Sequence, residues 1–315
     1  MIISAIAGAG FVALAPLSAV VVVAGAVIAV GGTLVEPGFG LIVTLLAGPW
    51  AAWMNVYTPG LLPIDAGQIM AALTLGAWAL HGLARRDLTL PKSPVLVPLL
   101  IFTGWAGVTL LWASDLSFGL PEVIKWIEIA LIMLFSIDLA RRRGVKWIIA
   151  AVLLSAVVQA LIGLYEARLR GDGPPGFQLS EGVYRAYGTF EQPNPFAGFI
   201  GLALPLAVAL TAYGVLRLAR RVIRRQPRPV TRYSLLVRQA ISLTTCAAIA
   251  LLLGLALYLS FSRGAWLAAA AAIGAMIVLA PRRWWAGLAL AGVAAVALIG
   301  LSGAGLLPQT IADRL

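Results

Sequence analysis

The sequence is built from uninterrupted apolar stretches of about 20 residues, each long enough to cross a lipid bilayer as an α-helix. Such a chain cannot cover itself with polar surface, since 61% of its residues are hydrophobic and only 11% are charged. Soluble domains carry about a quarter charged residues. The apolar runs are continuous and do not alternate, which favours helices over strands. The sequence therefore predicts an all-α, polytopic transmembrane helix bundle with about 10–11 membrane helices.

We predict that residues 1–315 form a single transmembrane domain. Residues 1–32 contain Pro16 near their middle and form either one kinked span or a hairpin of two short helices. An outer-face loop is expected over residues 166–195, and residues 304–315 are expected to begin a second, larger outer-face loop. The other predicted spans are 38–56, 66–83, 94–113, 121–140, 147–165, 196–216, 239–260, 264–280 and 285–303.

Basic residues alternate between the predicted loops. One set of loops contains the segments 85–92, 141–146, 217–238 and 282–283, with eight arginines in the third alone. The opposite set contains only Arg168, Arg170, Arg185, Arg263 and Arg314. The positive-inside rule assigns the first set to the cytoplasm. The formal net charge of +11 is therefore typical of membrane loops, and we do not expect nucleic acid as a partner.

Two arginines on the sparsely charged face precede outward-facing helix N-termini. Arg185 lies shortly before the span at 196–216, where Asn194 and Pro195 have the pattern of an N-cap followed by proline at the first helical position. Arg263 opens the span at 264–280, with Ser262 as a plausible cap. Guanidinium groups beside helix N-termini favour a phosphate. The alternatives are a snorkelling arginine at 263 and a solvated loop charge at 185.

The remaining charged positions have two interpretations. Glu122, Lys125 and Glu128 fall three residues apart and form either a local ion network or part of the lining of a substrate cavity. We expect Asp138 to pair with Arg141 and Arg142. His81, the only histidine, is predicted to be structural or interfacial.

Two motifs surround the arginines of the sparsely charged face. The first is Arg185-Ala-Tyr-Gly-Thr-Phe-Glu-Gln-Pro-Asn-Pro-Phe-Ala-Gly198, followed by an apolar span opening Phe-Ile-Gly-Leu-Ala-Leu-Pro. The second is Leu259-Ser-Phe-Ser-Arg-Gly-Ala-Trp266. In sequence, order and spacing the two motifs resemble the O-antigen ligase and O-antigen polymerase superfamily, which is not specific as to substrate. A weaker similarity to this family covers Lys125 through Arg142 to Gly163-Leu-Tyr165.

The resemblance implies an inner-membrane glycosyltransferase of bacteria with a GT-C-like fold and its active face outside the cytoplasm. Such enzymes move a glycan from undecaprenyl diphosphate to a lipid, glycan or protein acceptor, without a nucleotide or essential metal. Their two key arginines correspond to Arg185 and Arg263, which would bind the carrier diphosphate. The supporting positions would be Asn194, Ser262, Gly188, Lys125 and Glu128.

The family also has a histidine in a long outer-face loop that follows the second motif, and this histidine is the expected group that activates the acceptor. The sequence ends at Leu315, near the expected start of that loop, so we expect a fragment that is not a competent enzyme by itself. No catalytic residue is assigned for that reason. The rival hypotheses are a transporter of an anion or lipid-linked sugar, and a non-catalytic membrane subunit.

Overall fold

The computed structural model describes residues 19–50, 66–87, 90–223 and 232–279. Helices account for most of these residues, and the one sheet among them is a two-stranded hairpin, so the predicted all-α class is confirmed. The chain divides into two compact units, residues 1–158 and 159–315. The predicted spans 1–32, 38–56 and 264–280 lie partly outside the described residues, and the predicted span 285–303 and loop 304–315 lie wholly outside them.

Five helices and the start of a sixth belong to the first unit. They are α1 (Ala19–Val35), α2 (Pro37–Ala47), α3 (Ala66–Ala84), α4 (Leu96–Thr109), α5 (Leu116–Arg143) and α6 (Lys146–Arg168). Two of them begin at an acidic residue that serves as the N-cap. The Glu36 carboxylate accepts from the Gly38 amide, with Pro37 at the first helical position, and Asp115 accepts from the Ser117 amide.

A close approach between α2 and α3 organises the first unit. Gly40 lies against Thr33 and Thr74, so closely that a Cβ atom on this glycine would overlap both side chains. Thr74 is buried, its hydroxyl donates to the Met70 carbonyl, and it lies 3.3 Å from the Thr44 hydroxyl. Small residues at such a contact let two helix backbones pack closely. Beside it, a buried apolar cluster joins four helices through Leu41, Phe135, Leu139 and Ala151, among others.

Of the two arginines predicted to pair with Asp138 in the first unit, one does so. Asp138 accepts from Arg142 at 2.8 Å and from the Trp78 indole at 2.9 Å. Arg141, which we also expected beside Asp138, donates to the Lys92 carbonyl instead. Both arginines, three and four residues after Asp138, are within reach of it on the helix. The difference lies in their other partners, since Arg142 also pairs with Asp87 whereas Arg141 binds the Lys92 carbonyl. His81 contacts the Leu34 carbonyl at 2.8 Å, in agreement with a structural position.

The second unit contains the remainder of α6, a loop with a short antiparallel hairpin, and three further helices. The hairpin strands are β1 (Gln178–Ser180) and β2 (Val183–Tyr184). The helices are α7 (Pro193–Ile223), α8 (Arg232–Leu259) and α9 (Arg263–Leu279). Helix α7 packs against both α8 and α9.

Three helices in the described part of the chain are long and apolar enough to cross a membrane. They are Lys146–Arg168, Pro193–Arg220 and Val237–Leu259. Large apolar side chains remain exposed along all three, among them Leu161, Leu202 and Leu251. A helix that is apolar on its uncovered faces is suited to lipid. The three helices therefore support membrane association for this chain.

The contact at Gly40 predicts opposite effects for two glycine substitutions. Gly40→Ala places a methyl group against Thr33 and Thr74 and should destabilise the fold by about 1–3 kcal/mol. Gly76→Ala is the matched control, because this glycine also lies within a helix but has open space around it. The control should leave stability unchanged or raise it by about 0.5–1 kcal/mol. Thermal unfolding of the two variants in one detergent measures the difference, and similar midpoints would contradict the close packing of α2 and α3.

Candidate functional site

The loop from 169 to 192 presents Arg185 at the end of a short hairpin. Gly182 has a positive φ of 67° in the hairpin turn, a conformation that glycine adopts without strain. Strand β1 is followed across the turn by β2, and the Arg185 amide then donates to the Phe177 carbonyl at 2.8 Å. These backbone contacts fix where the Arg185 side chain begins.

The Arg185 guanidinium lies against the corner between α8 and α9. Its Nε donates to the Ser260 carbonyl at 2.8 Å, and its Nη2 lies 3.3 Å from the Phe261 carbonyl. The same Nη2 lies 3.4 Å from Asn194 Oδ1 at the start of α7. The next amide, of Ala186, donates to the Leu259 carbonyl at 2.8 Å. Two motifs that are about 75 residues apart in the sequence are therefore joined.

The corner itself has a constrained backbone. Phe261 has a φ of 51°, which a non-glycine residue adopts at some cost in strain. Its ring packs with those of Tyr258 and Trp266, and the latter two are stacked with their centroids 5.9 Å apart. The Trp266 indole also donates to the Leu257 carbonyl at 2.9 Å. Aromatic packing thus holds the corner in place.

Arg263 is the first residue of α9, and its side chain is exposed. It makes no ion pair or side-chain hydrogen bond with any residue that the structure describes. Ser262 precedes the helix, and its carbonyl accepts a hydrogen bond from the Trp266 amide. This arrangement agrees with the predicted position of Ser262 as the N-cap residue. A guanidinium at a helix N-terminus adds its charge to the positive end of the helix dipole.

Asn194 differs from its predicted role. Helix α7 begins at Pro193, so Asn194 lies in its first turn and is not the N-cap. The physical reason is that the first turn needs no intrahelical amide donor, and both Pro193 and Pro195 fit there. Its side-chain oxygen instead faces Arg185. The N-termini of α7 and α9 consequently meet at Arg185.

Two buried polar side chains of α6 hold the loop around Gly188. The Glu166 carboxylate accepts from the Gly188 amide at 2.7 Å. Gln159, which is fully buried, accepts from both the amide and the hydroxyl of Thr189 at 3.1 Å. Gly188 has a φ of 54° and lies so close to Gln159 and Phe196 that only glycine fits without strain. This loop is thus anchored on both of its sides.

Sequence reasoning did not assign Gln159 to the site. The available signal was a polar amide inside an apolar span, which is costly unless it has a partner. Its partner cannot be deduced from spacing, because Thr189 lies 30 residues further along the chain.

Glu191, near the end of the same loop, has a φ of 58°, and burial raises the pKa of its carboxyl.

Lys125 and Glu128 lie on α5 in the first unit. Lys125 pairs with Glu122 at 3.3 Å, and both side chains are at least half exposed. This pair agrees with the local ion network, the first of the two interpretations. A role for Lys125 and Glu128 beside Arg185 stays a prediction.

The anchored loop predicts a difference between two glycines with similar backbone angles. Gly188→Ala adds strain and a methyl group 2.8 Å from Gln159 Oε1, and should destabilise the second unit by about 2–4 kcal/mol. Gly182→Ala has the same kind of positive φ but open space around the new methyl group, and should cost about 1 kcal/mol. Thermal unfolding provides the comparison. Equal losses would show that the contact with Gln159 is unimportant.

Comparison with known proteins adds no relative. Neither a family model, nor a curated protein, nor a solved structure matches this chain.

Proposed function

We propose that this chain is the membrane part of a glycosyltransferase of the O-antigen ligase and polymerase type. Its substrate would be a glycan linked to undecaprenyl diphosphate, and its acceptor a lipid, a glycan or a protein. The observation that supports this proposal most is the contact between the two motifs. Arg185 of the first motif donates to the Ser260 and Phe261 carbonyls of the second, which lie three and two residues before Arg263.

The same arrangement suits a diphosphate on physical grounds. The starts of α7 and α9 are linked through Arg185, which contacts Asn194 and the Phe261 carbonyl, and Arg263 is the first residue of α9. Helix N-termini and positive charge favour an anion. Arginine is effective in this position because its planar fork can donate to two phosphate oxygens at once. The diphosphate in turn supplies several acceptor oxygens.

The two arginines would have different roles at this site. Arg263 is exposed and would contact the diphosphate directly. Arg185 donates to backbone carbonyls and to Asn194, and would shape the site while adding positive charge. Cleavage of the bond between the sugar and the diphosphate oxygen leaves negative charge on that oxygen, and Arg263 would stabilise it. The acceptor atom forms the new bond to the sugar and releases its proton.

The proposed setting is the bacterial inner membrane, with a polytopic bundle whose active face lies outside the cytoplasm. The three long apolar helices support a membrane location. The concentration of arginine and lysine in alternate loops supports this orientation, because it assigns Arg185 and Arg263 to the sparsely charged, external face. A lipid-linked substrate would reach such a site from the bilayer.

Arg263→Gln should weaken binding of a prenyl-diphosphate-linked sugar by about tenfold or more, because the variant loses a charge-assisted contact. Arg168→Gln is the matched control, since Arg168 is also exposed and on the same predicted face but lies outside the site. Its affinity should change by less than about twofold. Fluorescence binding to the purified chain in detergent measures both. Unchanged affinity in Arg263→Gln would exclude the diphosphate role of this arginine.

Arg185→Gln should differ from Arg263→Gln in its effect on stability. The Arg185 variant loses the bonds to Ser260 and Phe261 and should lower the unfolding free energy by about 1–3 kcal/mol, as well as weaken binding. Arg263→Gln should leave the melting temperature unchanged. A differential scanning measurement of both variants checks this. A stable Arg185→Gln protein would contradict the anchoring role of Arg185.

One further experiment distinguishes a transporter from a glycosyltransferase. Proteoliposomes that contain the full protein, a labelled lipid-linked sugar and an acceptor should accumulate glycosylated acceptor. Movement of the label across the bilayer with no new glycosidic bond would support the transporter instead.

A further inference from the structure

A small open pocket of about 60 Å³ lies in the first unit and shares no residue with the site around Arg185. Its walls come from the N-terminus of α2 and the C-terminal ends of α3 and α5. Trp78 and Phe135 form an apolar side of the pocket, with their ring centroids 5.8 Å apart. Its other lining residues include three arginines, His81, Glu36 and Asp138.

The acidic groups at this pocket already have partners. Glu36 pairs with Arg143 at 2.6 Å, and Asp138 pairs with Arg142 at 2.8 Å. Arg142 also pairs with Asp87, which lies just outside the lining. Two of the three arginines are thus neutralised by carboxylates of the chain itself.

Arg85 is the exception. Its guanidinium makes no hydrogen bond or ion pair with the residues that the structure describes, although its backbone amide donates to the His81 carbonyl at 3.1 Å. That bond continues the helical pattern, so His81 and Arg85 lie on the same face, four residues apart. His81 Nε2 must carry the hydrogen in its contact with the Leu34 carbonyl, since a carbonyl can only accept. Its Nδ1 is then an acceptor, which can take a hydrogen bond from a headgroup hydroxyl but cannot donate to the phosphate itself.

The surroundings of the pocket are basic. The segments 85–92 and 141–146 meet here, through the Arg142–Asp87 pair and the bond from Arg141 to the Lys92 carbonyl. Together they contain seven basic residues and one acidic residue, which leaves a clear positive excess after Glu36 and Asp138 are counted. The helix Lys146–Arg168, which can span a membrane, begins at this same end of the unit.

Apolar side chains accompany this charge. Leu80 and Leu83 on the last turns of α3 are exposed, as is Val35 at the end of α1. Leu80 and Leu83 are three residues apart and share one helix face, whereas His81 and Arg85 lie on a different face of the same turns. A tryptophan beside basic side chains at the end of apolar helices is typical of the level of lipid headgroups.

We propose that this pocket binds the phosphate group of an anionic phospholipid, with Arg85 as the principal contact and His81 beside it. The acyl chains would lie against exposed apolar side chains at this end of the unit, among them Val35, whose neighbour Leu34 contacts His81. Basic pockets between membrane helices are known to accept anionic headgroups in this way. A soluble phosphate has the same charged group but cannot use the apolar contacts. This site is independent of the proposed glycosyltransferase activity.

Native mass spectrometry of the purified full chain tests the proposal, with phosphatidylglycerol, phosphatidylcholine and inorganic phosphate as separate probes. We expect retention of phosphatidylglycerol in preference to phosphatidylcholine. Arg85→Gln should weaken this binding about fivefold or more, because one close positive charge is lost. Arg86→Gln is the matched control, since this adjacent exposed arginine does not line the pocket. It should change the affinity less than about twofold.

The outcomes separate the sources of the phosphate. Loss of phosphatidylglycerol in Arg85→Gln alone supports the lipid, whereas binding of inorganic phosphate that depends on Arg85, without lipid binding, supports the same pocket with a soluble ligand. Equal retention of the two lipids, together with no phosphate binding, would overturn the proposal. So would equal losses in Arg85→Gln and Arg86→Gln, because they would indicate only a diffuse surface charge.

Discussion

The carbonyl groups at the end of α8 need hydrogen-bond donors from outside the helix, and the loop that contains Arg185 provides them. The last carbonyls of any helix have no intrahelical partner, and leaving them unpaired in an apolar protein is costly. Ala186 donates to Leu259, and the Arg185 side chain donates to Ser260 and Phe261. The position of the loop, the corner that follows α8 and the start of α9 all depend on these bonds.

This requirement gives Arg185 a structural as well as an electrostatic role. A guanidinium has five N–H donors, so it can satisfy carbonyl groups and still contribute its charge to a ligand. Arg263, by contrast, has no such bonds among the described residues and is exposed at a helix N-terminus. Under the proposed function, Arg263 would contact the ligand while Arg185 stays anchored to the corner.

Anchoring continues on the other side of the loop. Glu166 and Gln159 of α6 bind the amides of Gly188 and Thr189, and the positive φ of Gly188 lets its backbone approach them. The loop from 169 to 192 is therefore held by α6 on one side and by the α8–α9 corner on the other.

The helical class and part of the candidate site could be predicted from the sequence. Helix type follows from long apolar runs, and the start of α9 follows from Ser262 and Arg263. The contact of Arg185 with Ser260 was not predictable, because spacing along a chain does not reveal which loop reaches which helix end. Two prolines in one first turn similarly left the start of α7 uncertain by two residues. Gln159 was missed because its partner is distant in sequence.

The central claim is that the loop from 169 to 192, which contains Arg185, is anchored to the α8–α9 corner. Hydrogen exchange of this loop tests it most directly. The amides of Arg185, Ala186, Gly188 and Thr189 all have acceptors, so a peptide covering them should exchange slowly despite lying outside the α-helices. In Arg185→Gln the Ala186 amide should exchange faster. Exchange of this peptide as rapid as that of residues 171–173, with no effect of the substitution, would contradict the account.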